Sequence, residues 1–417
     1  MGAFCPYPID SGGRRRLFAI FDGLRNFFEI TLIFPVFEDN EIENVFALQK
    51  IWPNILIVPF YGIKAPYEGN SMGAKIMRFF HVLNPHTPPW FLKKQYGMAA
   101  LIKAMTETGE YGLIHVEFTQ MLSYLPKNCV IPSVAVEQDV SFIAWERRFK
   151  TAKGLKNKLT EFLLMQKVKR FELKHLKEFD CIVTVSDVDR ERLQKVLAAK
   201  KIEVVPNGVD LNYFKFEAPR EISRFLLYNG GFDHFPNQDA VRFFVSEILP
   251  ILKNLGLNTK LKIIGKVSGE QISEFNGLQD VLFEGLNRFV GDEEYLSMLR
   301  QSIFVAPLRI GGGTRLKILE ALSAGCPVVS TTIGAEGLDA VNEEHLLIAD
   351  KPEDFAKACQ RLMVDQDLRI RLAQNGRRLV EEKFGWQRIV AKQKKIYEEL
   401  MTNGEVENPK KIRMSNN

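Results

Sequence analysis

Residues 303–331 constrain the fold of this chain more than any other segment. They read IFVAPLRIGGGTRLKILEALSAGCPVVST. The apolar run at 303–307 predicts a buried strand, and an amphipathic helix with Thr314 as its N-cap follows a glycine turn. Gly325 and Pro327 end this helix before a second strand at 328–331. The turn consists of three glycines, Gly311, Gly312 and Gly313. The segment predicts a compact βαβ unit.

The same segment predicts an anion-binding site. Backbone N–H groups at the start of a helix attract negative charge, and Arg315 and Lys317 place two cations in the first turn. A diphosphate would suit this arrangement without a metal, and Glu320 could accept hydrogen bonds from sugar hydroxyls. The spacing alone equally allows an ordinary helix packed on a sheet with solvated charges.

Strand and helix patterns alternate along the rest of the chain. Strands are predicted at 30–34, 55–60, 112–116, 130–136, 181–185, 224–229, 261–264 and near 281. Helices are predicted at 14–28, 91–107, 157–178, from about Asn237 to Lys253, 292–301, 350–364 and 368–382. This alternation predicts an α/β protein with two doubly wound parallel sheets facing a cleft. In such folds ligands bind beyond the carboxyl ends of the strands.

Composition and charge narrow the classes of function. No run of 18 apolar residues occurs, so no transmembrane helix is expected. The five cysteines are widely spaced, which favours buried thiols in the cytoplasm. Residues 147–177 contain eleven Lys or Arg against two Glu. This excess predicts an acidic partner, either an anionic membrane surface at the inner face or a phosphorylated acceptor, rather than nucleic acid. A solvated helix face is the alternative.

Several segments together resemble the retaining glycosyltransferases of family 4, which use nucleotide sugars and have the GT-B fold. They are PYPIDSGGRRR, TVSDVDRERL, VVPNGVD, LLYNGGFDHFPNQDAVRFF, PLRIGGGTRLKILEALSAGCPVVST and FGWQ. The resemblance covers nearly the whole chain and is strongest to a subgroup with the sequence GGGTRLK. It implies an N-terminal, acceptor-side domain at 1–208, completed by a crossover helix at 386–402. It also implies a nucleotide-sugar domain at 209–385. The polar tail at 403–417 is predicted to be disordered.

The resemblance also implies roles for individual residues. Glu320 would bind the ribose hydroxyls of the donor, and Arg315 and Lys317 would meet its diphosphate. Gly12 and Gly13 match the glycine loop of the N-terminal domain that closes over the phosphate. The nucleotide sugar would be a co-substrate, and neither a metal nor another cofactor is expected.

Three departures from the family pattern are present. Gly312 stands where the first Glu of the paired-glutamate motif is usual, and Gln138 stands where family members often carry a histidine near the reacting carbon. A neutral amide at position 138 can bind a sugar hydroxyl but cannot act as a base. The strand that normally precedes the glycine loop is mostly absent. A mis-assigned start or a truncated gene is one explanation, and an inactive product is another.

The predicted function is transfer of a sugar, with retention, to a glycan or lipid-linked acceptor, with Arg315, Lys317 and Gln138 as catalytic residues. The alternative is a catalytically impaired GT-B-like nucleotide-binding or scaffold protein. His115 and Glu117, at a strand end, are candidates for acceptor or sugar contact, with plain packing as the other interpretation. The nucleotide, the sugar, the acceptor, the linkage and the oligomeric state are left open.

A metal-dependent transferase is a further alternative because Asp187-Val188-Asp189 has DxD spacing. However, Ser186 before it predicts a helix N-cap, and acids in a first helical turn interact favourably with the helix dipole. Asp365-Gln366-Asp367 is interpreted as a turn between helices. A hydride-transferring enzyme is disfavoured because no G-x-G-x-x-G follows an early strand.

Overall fold

The structure is a computed structural model that describes residues 1–62, 71–73, 76–77, 80, 84, 95–152, 154–219, 225–232, 234–265, 267, 272–275, 277–284, 292–311 and 314–407. The chain divides into two compact units. The first, the N-terminal unit, comprises Met1–Val205 together with the chain from Val390 onward, and the second, the C-terminal unit, comprises Pro206–Ile389.

The N-terminal unit contains two parallel sheets and their helices. Its elements are α1 (Gly12–Leu24), β1 (Ile30–Val36), α2 (Asn40–Ile51), β2 (Ile55–Tyr61), α3 (Tyr96–Glu107), β3 (Ile114–Glu117), β4 (Ser133–Glu137), α4 (Ser141–Thr151), α5 (Leu155–Leu176), β5 (Cys181–Thr184), α6 (Asp187–Gln194) and β6 (Lys201–Val204). Strands β1 and β2 form one sheet, and strands β3 to β6 form the other in sequence order.

Residues 1 and 2 hydrogen-bond to both sheets of this unit. The Gly2 amide donates to the Ile33 carbonyl of β1 at 2.9 Å, and the Glu117 amide of β3 donates to the Met1 carbonyl at 2.9 Å. The short segment thus links the edge of β1 to the edge of β3. Every residue of β3, β4 and β5 is buried, as expected for parallel strands covered by helices on both faces.

The C-terminal unit is built on one six-stranded parallel sheet with the order β12-β11-β10-β7-β8-β9. Its elements are β7 (Phe225–Asn229), α7 (Phe235–Phe243), α8 (Leu249–Asn254), β8 (Lys260–Ile264), β9 (Val281–Glu284), α9 (Asp292–Arg300), β10 (Ile303–Ala306), α10 (Leu316–Ala324), β11 (Val328–Ser330), α11 (Thr332–Ala335), β12 (Leu347–Ile348), α12 (Pro352–Val364) and α13 (Gln366–Lys383). A π-helical turn at Phe244–Ile248 joins α7 to α8. The last helix, α14 (Trp386–Glu407), begins in this unit and continues into the N-terminal one.

The predicted alternation of strands and helices is confirmed, and every strand pair among the described residues is parallel. Three helices were not predicted, namely α2, α4 and the short α11. In α2, apolar residues lie on both faces, since Val45 and Leu48 are buried while Phe46 is 65% exposed, so the helical period is obscured. Part of the helix predicted at 91–107 lies outside the described residues.

The start of the disordered tail was predicted too early in the sequence, at residue 403. The helical hydrogen-bond pattern of α14 continues through Asn403 and Gly404 to Glu407, although this residue pair is typical of a helix end. Residues 408–417 lie outside the described part of the chain. Within the described residues, no helix combines the length and apolar character needed to cross a bilayer. Four of the five cysteines are buried, and none of the five forms a disulfide.

Candidate functional site

The carboxyl ends of three neighbouring strands of the C-terminal unit, β7, β8 and β10, lie at one edge of the sheet. Gly230 follows β7, and Gly265 follows β8 with φ at +150°. A Cβ atom at Gly265 would lie 2.6 Å from the carbonyl carbon of Gly230, so the two loops touch through their backbones. Only glycine fits at this contact.

Lys317 reaches this edge from the first turn of α10. Its Nζ lies 3.0 Å from Asn237 Oδ1 and 3.4 Å from the Tyr228 hydroxyl, and it stands 4.7 Å from the centroid of the Tyr228 ring. The Tyr228 hydroxyl donates to the same Asn237 Oδ1 at 2.7 Å, and Asn237 Nδ2 donates to the Gly231 carbonyl at 2.8 Å. Asn237 therefore connects the loop after β7 with the ammonium group.

The environment of Lys317 disfavours its own charge. Burial and the positive charge of Arg315 lower the pKa of Lys317 to about 7, although Glu320 acts in the opposite direction. Both groups that hydrogen-bond to the ammonium, the Asn237 amide and the Tyr228 hydroxyl, are neutral. An anion bound beside Lys317 would therefore restore its charge and be attracted by it.

Arg315 lies at the start of the same helix, against the glycine loop. A Cβ atom at Gly311, whose φ is +138°, would lie 2.6 Å from Arg315 Nη2, so the Gly311 backbone contacts the guanidinium. Gly312 and Gly313 lie outside the described residues. Arg315 and Lys317 are close enough for the charge of the first to lower the pKa of the second. The structure thus brings the two predicted cations together.

The predicted N-cap role of Thr314 is wrong. The N-cap is Arg315, which makes no side-chain capping hydrogen bond, and the helix begins at Leu316. Thr314 Oγ1 instead accepts a hydrogen bond from the Asn207 amide at 3.3 Å, and Asn207 Nδ2 donates to the Thr314 carbonyl at 3.0 Å. The hydroxyl is engaged by the VVPNGVD segment and does not cap the helix.

Glu320 lies in the middle of α10 and is 4% exposed. Its charge raises the pKa of Lys317, which places the carboxylate within electrostatic range of the ammonium. The helix ends at Gly325 in the left-handed conformation, as predicted.

In the N-terminal unit, three predicted residues form one hydrogen-bonded cluster at the ends of β3 and β4. Glu117 Oε1 lies 3.1 Å from His115 Nε2, and Glu117 Oε2 accepts a hydrogen bond from Gln138 Nε2 at 3.0 Å. All three side chains are less than 10% exposed. The structure therefore brings together His115, Glu117 and Gln138.

Two further residues complete this cluster. The Tyr397 hydroxyl of α14 hydrogen-bonds to His115 Nδ1, and Arg16 of α1 is fully buried and attracted by Glu117. Burial lowers the pKa of His115 in spite of its bond to Glu117, and burial strongly raises the pKa of Tyr397. A neutral imidazole can then donate from Nε2 to Glu117 and accept at Nδ1 from the tyrosine.

The neighbours of Glu117 favour its ionised form. Burial acts to raise the pKa of this carboxyl, but the interaction with His115, the charge of Arg16 and the hydrogen bond from Gln138 lower it on balance. The centre of the cluster is a buried carboxylate. One of its oxygens contacts the His115 imidazole, and the other accepts a hydrogen bond from the Gln138 amide.

Gly12 and Gly13 are the first residues of α1, and the Ser11 hydroxyl N-caps this helix by accepting from the Arg14 amide at 3.4 Å. A Cβ atom at Gly13 would lie 3.5 Å from Gln138 Oε1 and 3.2 Å from the rings of Phe4 and Phe118. The helix N-terminus thus lies beside the Gln138 amide. Phe118 has φ at +75°, a strained value for a non-glycine residue, at the end of β3.

A second buried acidic cluster lies next to this site. Glu137, the last residue of β4, accepts from the Thr119 hydroxyl at 2.8 Å, and Glu172 accepts from the Ser141 and Phe142 amides, each at 2.8 Å. Burial and the nearby Glu172 raise the pKa of Glu137 well above its usual value, and burial raises the pKa of Glu172 to about 8.

The DxD-like segment has a structural role. Ser186 is the N-cap of α6 and its Oγ accepts from the Asp189 amide at 3.1 Å, as predicted. Asp187 pairs with Arg190 at 2.8 Å. Asp365 likewise N-caps α13, but Gln366 and Asp367 are the first residues of that helix, so the turn predicted at 365–367 is reduced to Asp365 alone. Among the described residues, no three His, Cys, Asp or Glu side chains are grouped so that they could hold a metal ion.

Four residues that interact with Lys317, His115 or Glu117 were not predicted from the sequence: Tyr228, Asn237, Arg16 and Tyr397. Tyr228 and Asn237 flank an NGG turn between a strand and a helix, the same pattern that identified residues 303–331. Arg16 was detectable as a charge within an otherwise apolar helix face. Tyr397 carries no such signal, since it lies 282 residues from its partner His115.

Comparison with known proteins gives two family matches. A model described as glycosyltransferase family 4 matches residues 55–213, and one described as glycosyl transferases group 1 matches residues 223–365. Together they cover well over half of the chain. An uncharacterized glycosyltransferase of Methanocaldococcus jannaschii is 28% identical over 229 residues, which are 53% of this chain. The chain spans only about three fifths of that curated relative, 60% of its length.

Solved structures match over nearly the full chain. Sucrose-phosphate synthase of Thermosynechococcus elongatus superposes with a TM-score of 0.70 at 15% identity, covering 96% of this chain and 98% of that one. HepE of Anabaena, in complex with UDP and glucose, superposes with a TM-score of 0.63 at 15% identity, covering 93% of this chain and 97% of that one. The two family matches and the shared architecture establish that this chain belongs to glycosyltransferase family 4 and has the GT-B fold.

Proposed function

We propose that this protein transfers a sugar from a nucleoside diphosphate sugar to a hydroxyl of a glycan or lipid-linked acceptor, with retention at the anomeric carbon and without a metal. Membership of the family supports sugar transfer, and the resemblance of the GGGTRLK segment supports retention. The complex of HepE with UDP and glucose supports a nucleotide-sugar donor.

The observation that carries the proposal is the placement of Lys317. The leaving group of the reaction is a nucleoside diphosphate, whose negative charge grows as the glycosidic bond breaks. Lys317 offers an ammonium held by two neutral oxygens beside Arg315, so its charge is directed at a ligand. Preorganised cations of this kind stabilise the developing charge more than the ground state, which accelerates bond cleavage.

The other predicted donor contacts follow from the same helix. Glu320 would accept hydrogen bonds from the ribose hydroxyls, and the amides of Gly311, Gly312 and Gly313, with Thr314, would line the phosphates. No carboxylate is available at position 312, so contacts to the sugar itself would come from elsewhere.

The N-terminal cluster supplies the proposed acceptor side. Gln138 would bind a hydroxyl of the sugar or acceptor, with Glu117 and His115 holding its amide in place. Gly12 and Gly13 would approach the phosphate. A neutral amide cannot take the acceptor proton, so we assign that proton to the departing phosphate oxygen, which gains negative charge as the sugar leaves.

Independence from metals is part of the proposal. Asp187 and Asp189, the DxD-like pair, serve the first turn of α6 through an ion pair and an N-cap contact. Transfer activity that survives a chelator would support this, whereas activity abolished by a chelator and restored by manganese would overturn it.

A second candidate function is nucleotide binding without transfer, as in an impaired GT-B-like scaffold protein. Gln138 and Gly312, in place of the usual histidine and glutamate, favour it. Calorimetry with UDP, GDP, ADP and TDP, followed by a screen for consumption of the corresponding nucleotide sugars, separates the two. Binding without transfer or hydrolysis would favour the scaffold, and absence of all nucleotide binding would defeat both.

The test of the lead proposal is a lysine series. Lys317→Ala should reduce donor turnover by about 10²–10³-fold while the protein stays folded, because one preorganised charge is lost. Lys317→Arg retains the charge and should lose less. Lys262→Ala is the matched control, since Lys262 lies over the Phe225 ring at 4.8 Å in the same unit. Unchanged turnover in Lys317→Ala would refute the assignment.

We further propose a cytoplasmic location with peripheral contact to the inner membrane face, through the basic region at 147–177. A lipid-linked acceptor would be found at such a surface, and the excess of positive charge in this region supports it.

A further inference from the structure

Helix α5 exposes an apolar stripe. Leu155, Leu159 and Phe162 are 87%, 58% and 40% exposed. Their spacing of four and then three residues places them on one face of the helix. Large apolar side chains that are exposed singly are common, but three on one helical face form a continuous surface.

The stripe is mounted on a packed pair of helices. Helix α5 follows α4 after the three residues 152–154, and the rings of Phe149 on α4 and Phe162 on α5 lie 5.7 Å apart. Arg148 Nε donates to Glu161 Oε1 at 2.9 Å, which joins the two helices again. Gly154, with φ at +82° and open space around its Cβ position, turns the chain so that Leu155 lies at the tip of the pair.

Positive charge surrounds the stripe. The exposed basic residues of α5 and its C-cap are Lys156, Lys158, Arg170, Lys174 and Lys177. Neither glutamate of the region offsets this charge at the stripe. Glu161 pairs with Arg148, and Glu172 is fully buried, where it accepts hydrogen bonds from two amides at the start of α4.

The exposed face of α5 is divided along its length. The apolar stripe occupies the first two turns, and Arg170, Lys174 and Lys177 follow on the same side towards the C-terminus. A helix of 22 residues is about 33 Å long, so both parts can lie on one flat surface. Apolar side chains combined with Lys and Arg on one helix are typical of helices that lie in the membrane interface.

We propose that this face of α5 docks the protein on an anionic lipid bilayer, with Leu155, Leu159 and Phe162 inserted between the headgroups and the lysines and arginines on the lipid phosphates. The proposal makes specific the membrane contact suggested above, but it depends on α5 alone and not on sugar transfer. Nucleic acid would use the charge but not the apolar stripe, and a second protein would use the stripe without requiring lipid.

The test is sedimentation with vesicles of phosphatidylcholine, either alone or with 30% phosphatidylglycerol. Each Lys or Arg near an anionic surface of this kind is attracted to it by about 1 kcal/mol. The full chain should bind the anionic vesicles at least about tenfold more tightly than the neutral ones. Salt at 0.5 M shortens the Debye length to roughly 4 Å and should weaken this binding, because it screens the charges.

The variant Leu155→Ser/Leu159→Ser/Phe162→Ser should lose about tenfold or more in partition to anionic vesicles. The control Phe46→Ser/Leu56→Ser/Val364→Ser removes three comparably exposed apolar side chains elsewhere, which are 65%, 59% and 73% exposed, and should bind as the unmodified chain does. Lys156→Glu/Lys158→Glu should also weaken binding. The thermal unfolding midpoint is measured alongside and should be unchanged for all these positions except Phe162, whose ring packs on Phe149, so Leu155→Ser/Leu159→Ser is tested as well.

Three outcomes would overturn the proposal: equal binding to neutral vesicles, equal loss in the stripe and control variants, or a change of oligomeric state in the stripe variant without a change in vesicle binding. The last outcome, measured by light scattering, would assign the stripe to a protein interface. Nucleotide binding is measured on the same variants and should be unchanged, so that failure of docking is distinguished from failure of the proposed transfer.

Discussion

The Gln138 side-chain amide donates from Nε2 to Glu117 Oε2 at 3.0 Å. An ionised carboxylate only accepts hydrogen bonds, so this contact fixes the orientation of the amide. Nε2 faces Glu117, and Oε1 faces the first turn of α1, where a Cβ atom on Gly13 would lie 3.5 Å away. The amide thus presents a hydrogen-bond acceptor beside the glycines predicted to approach the donor.

This orientation leads to a prediction about turnover. Gln138→Leu fills much of the space of the side chain but removes both polar atoms, and leaves one Glu117 oxygen without its amide. We expect a loss of about 10²-fold or more in transfer with little change in nucleotide affinity, because Gln138 belongs to the N-terminal unit. Steady-state kinetics and calorimetry measure the two effects.

The matched control is Gln49→Leu, since Gln49 donates to the Trp52 and Ile55 carbonyls in the same unit. Its expected cost is in stability, about 1–3 kcal/mol for carbonyls left without a donor, with normal turnover. A Gln138→Leu enzyme as fast as the unmodified one would contradict the assigned role.

Binding of the donor should depend on pH through Lys317. Its pKa in the free protein is lowered to about 7, so above pH 7 the amine must gain a proton when a diphosphate binds. Affinity for a nucleotide sugar should therefore fall as pH rises above 7, by up to about tenfold per pH unit until the pKa of the complex is reached. Calorimetry in two buffers of different ionisation enthalpy should detect the proton taken up.

In Lys317→Arg the side chain stays charged at all these pH values, so the pH dependence should be lost. An unmodified protein whose affinity is constant from pH 6.5 to 9 would show that Lys317 is already charged before the donor binds.

Stability should depend on pH through Glu137. The folded state raises the pKa of this carboxyl, so between its ordinary pKa of about 4.5 and the raised folded value the folded state binds more protons than the unfolded one. The stability that comes from the neutral Glu137 carboxyl is therefore fully present below about pH 4.5 and is lost as pH rises towards the folded pKa. Glu137→Gln removes this loss. The free energy of unfolding of the variant, relative to that of the unmodified protein, should therefore increase as pH rises, by about 1 kcal/mol or more at pH 8.

Denaturant unfolding at pH 5, 6.5 and 8 measures this effect, and Glu43→Gln, at an exposed position of α2, controls for the loss of a charge as such. A difference between Glu137→Gln and the unmodified chain that shrinks as pH rises would mean that Glu137 is ionised in the folded protein.

The sequence predicted the secondary structure of the C-terminal unit closely because its strands and helices carry clear periods and glycine or proline ends. The βαβ unit at 303–331 is the best example, since apolar strands, a glycine turn and a left-handed Gly325 are all local signals. The N-cap assignment to Thr314 was wrong because Asn207, 107 residues away, engages the hydroxyl. A local rule cannot include such a partner.

The side chains around the candidate sites show the same limit. Lys317 was recognisable from its place after a glycine loop, but Asn237 and Tyr228, its neutral partners, lie 80 and 89 residues earlier. His115 and Glu117 were predicted with two interpretations, and the buried network with Arg16 and Tyr397 depends on contacts across three elements. Proximity of this kind is decided by tertiary packing, which residue spacing does not encode.

The neutrality of Asn237 has a consequence for how the C-terminal site selects its ligand. An aspartate at this position would fit the same space and could also accept from Lys317, but it would supply the counter-charge from within the protein. The ammonium would then be satisfied internally and would gain little from a phosphate. With an amide in that place, neither group that hydrogen-bonds to the ammonium carries a negative charge, and under the proposed function the donor diphosphate would supply it.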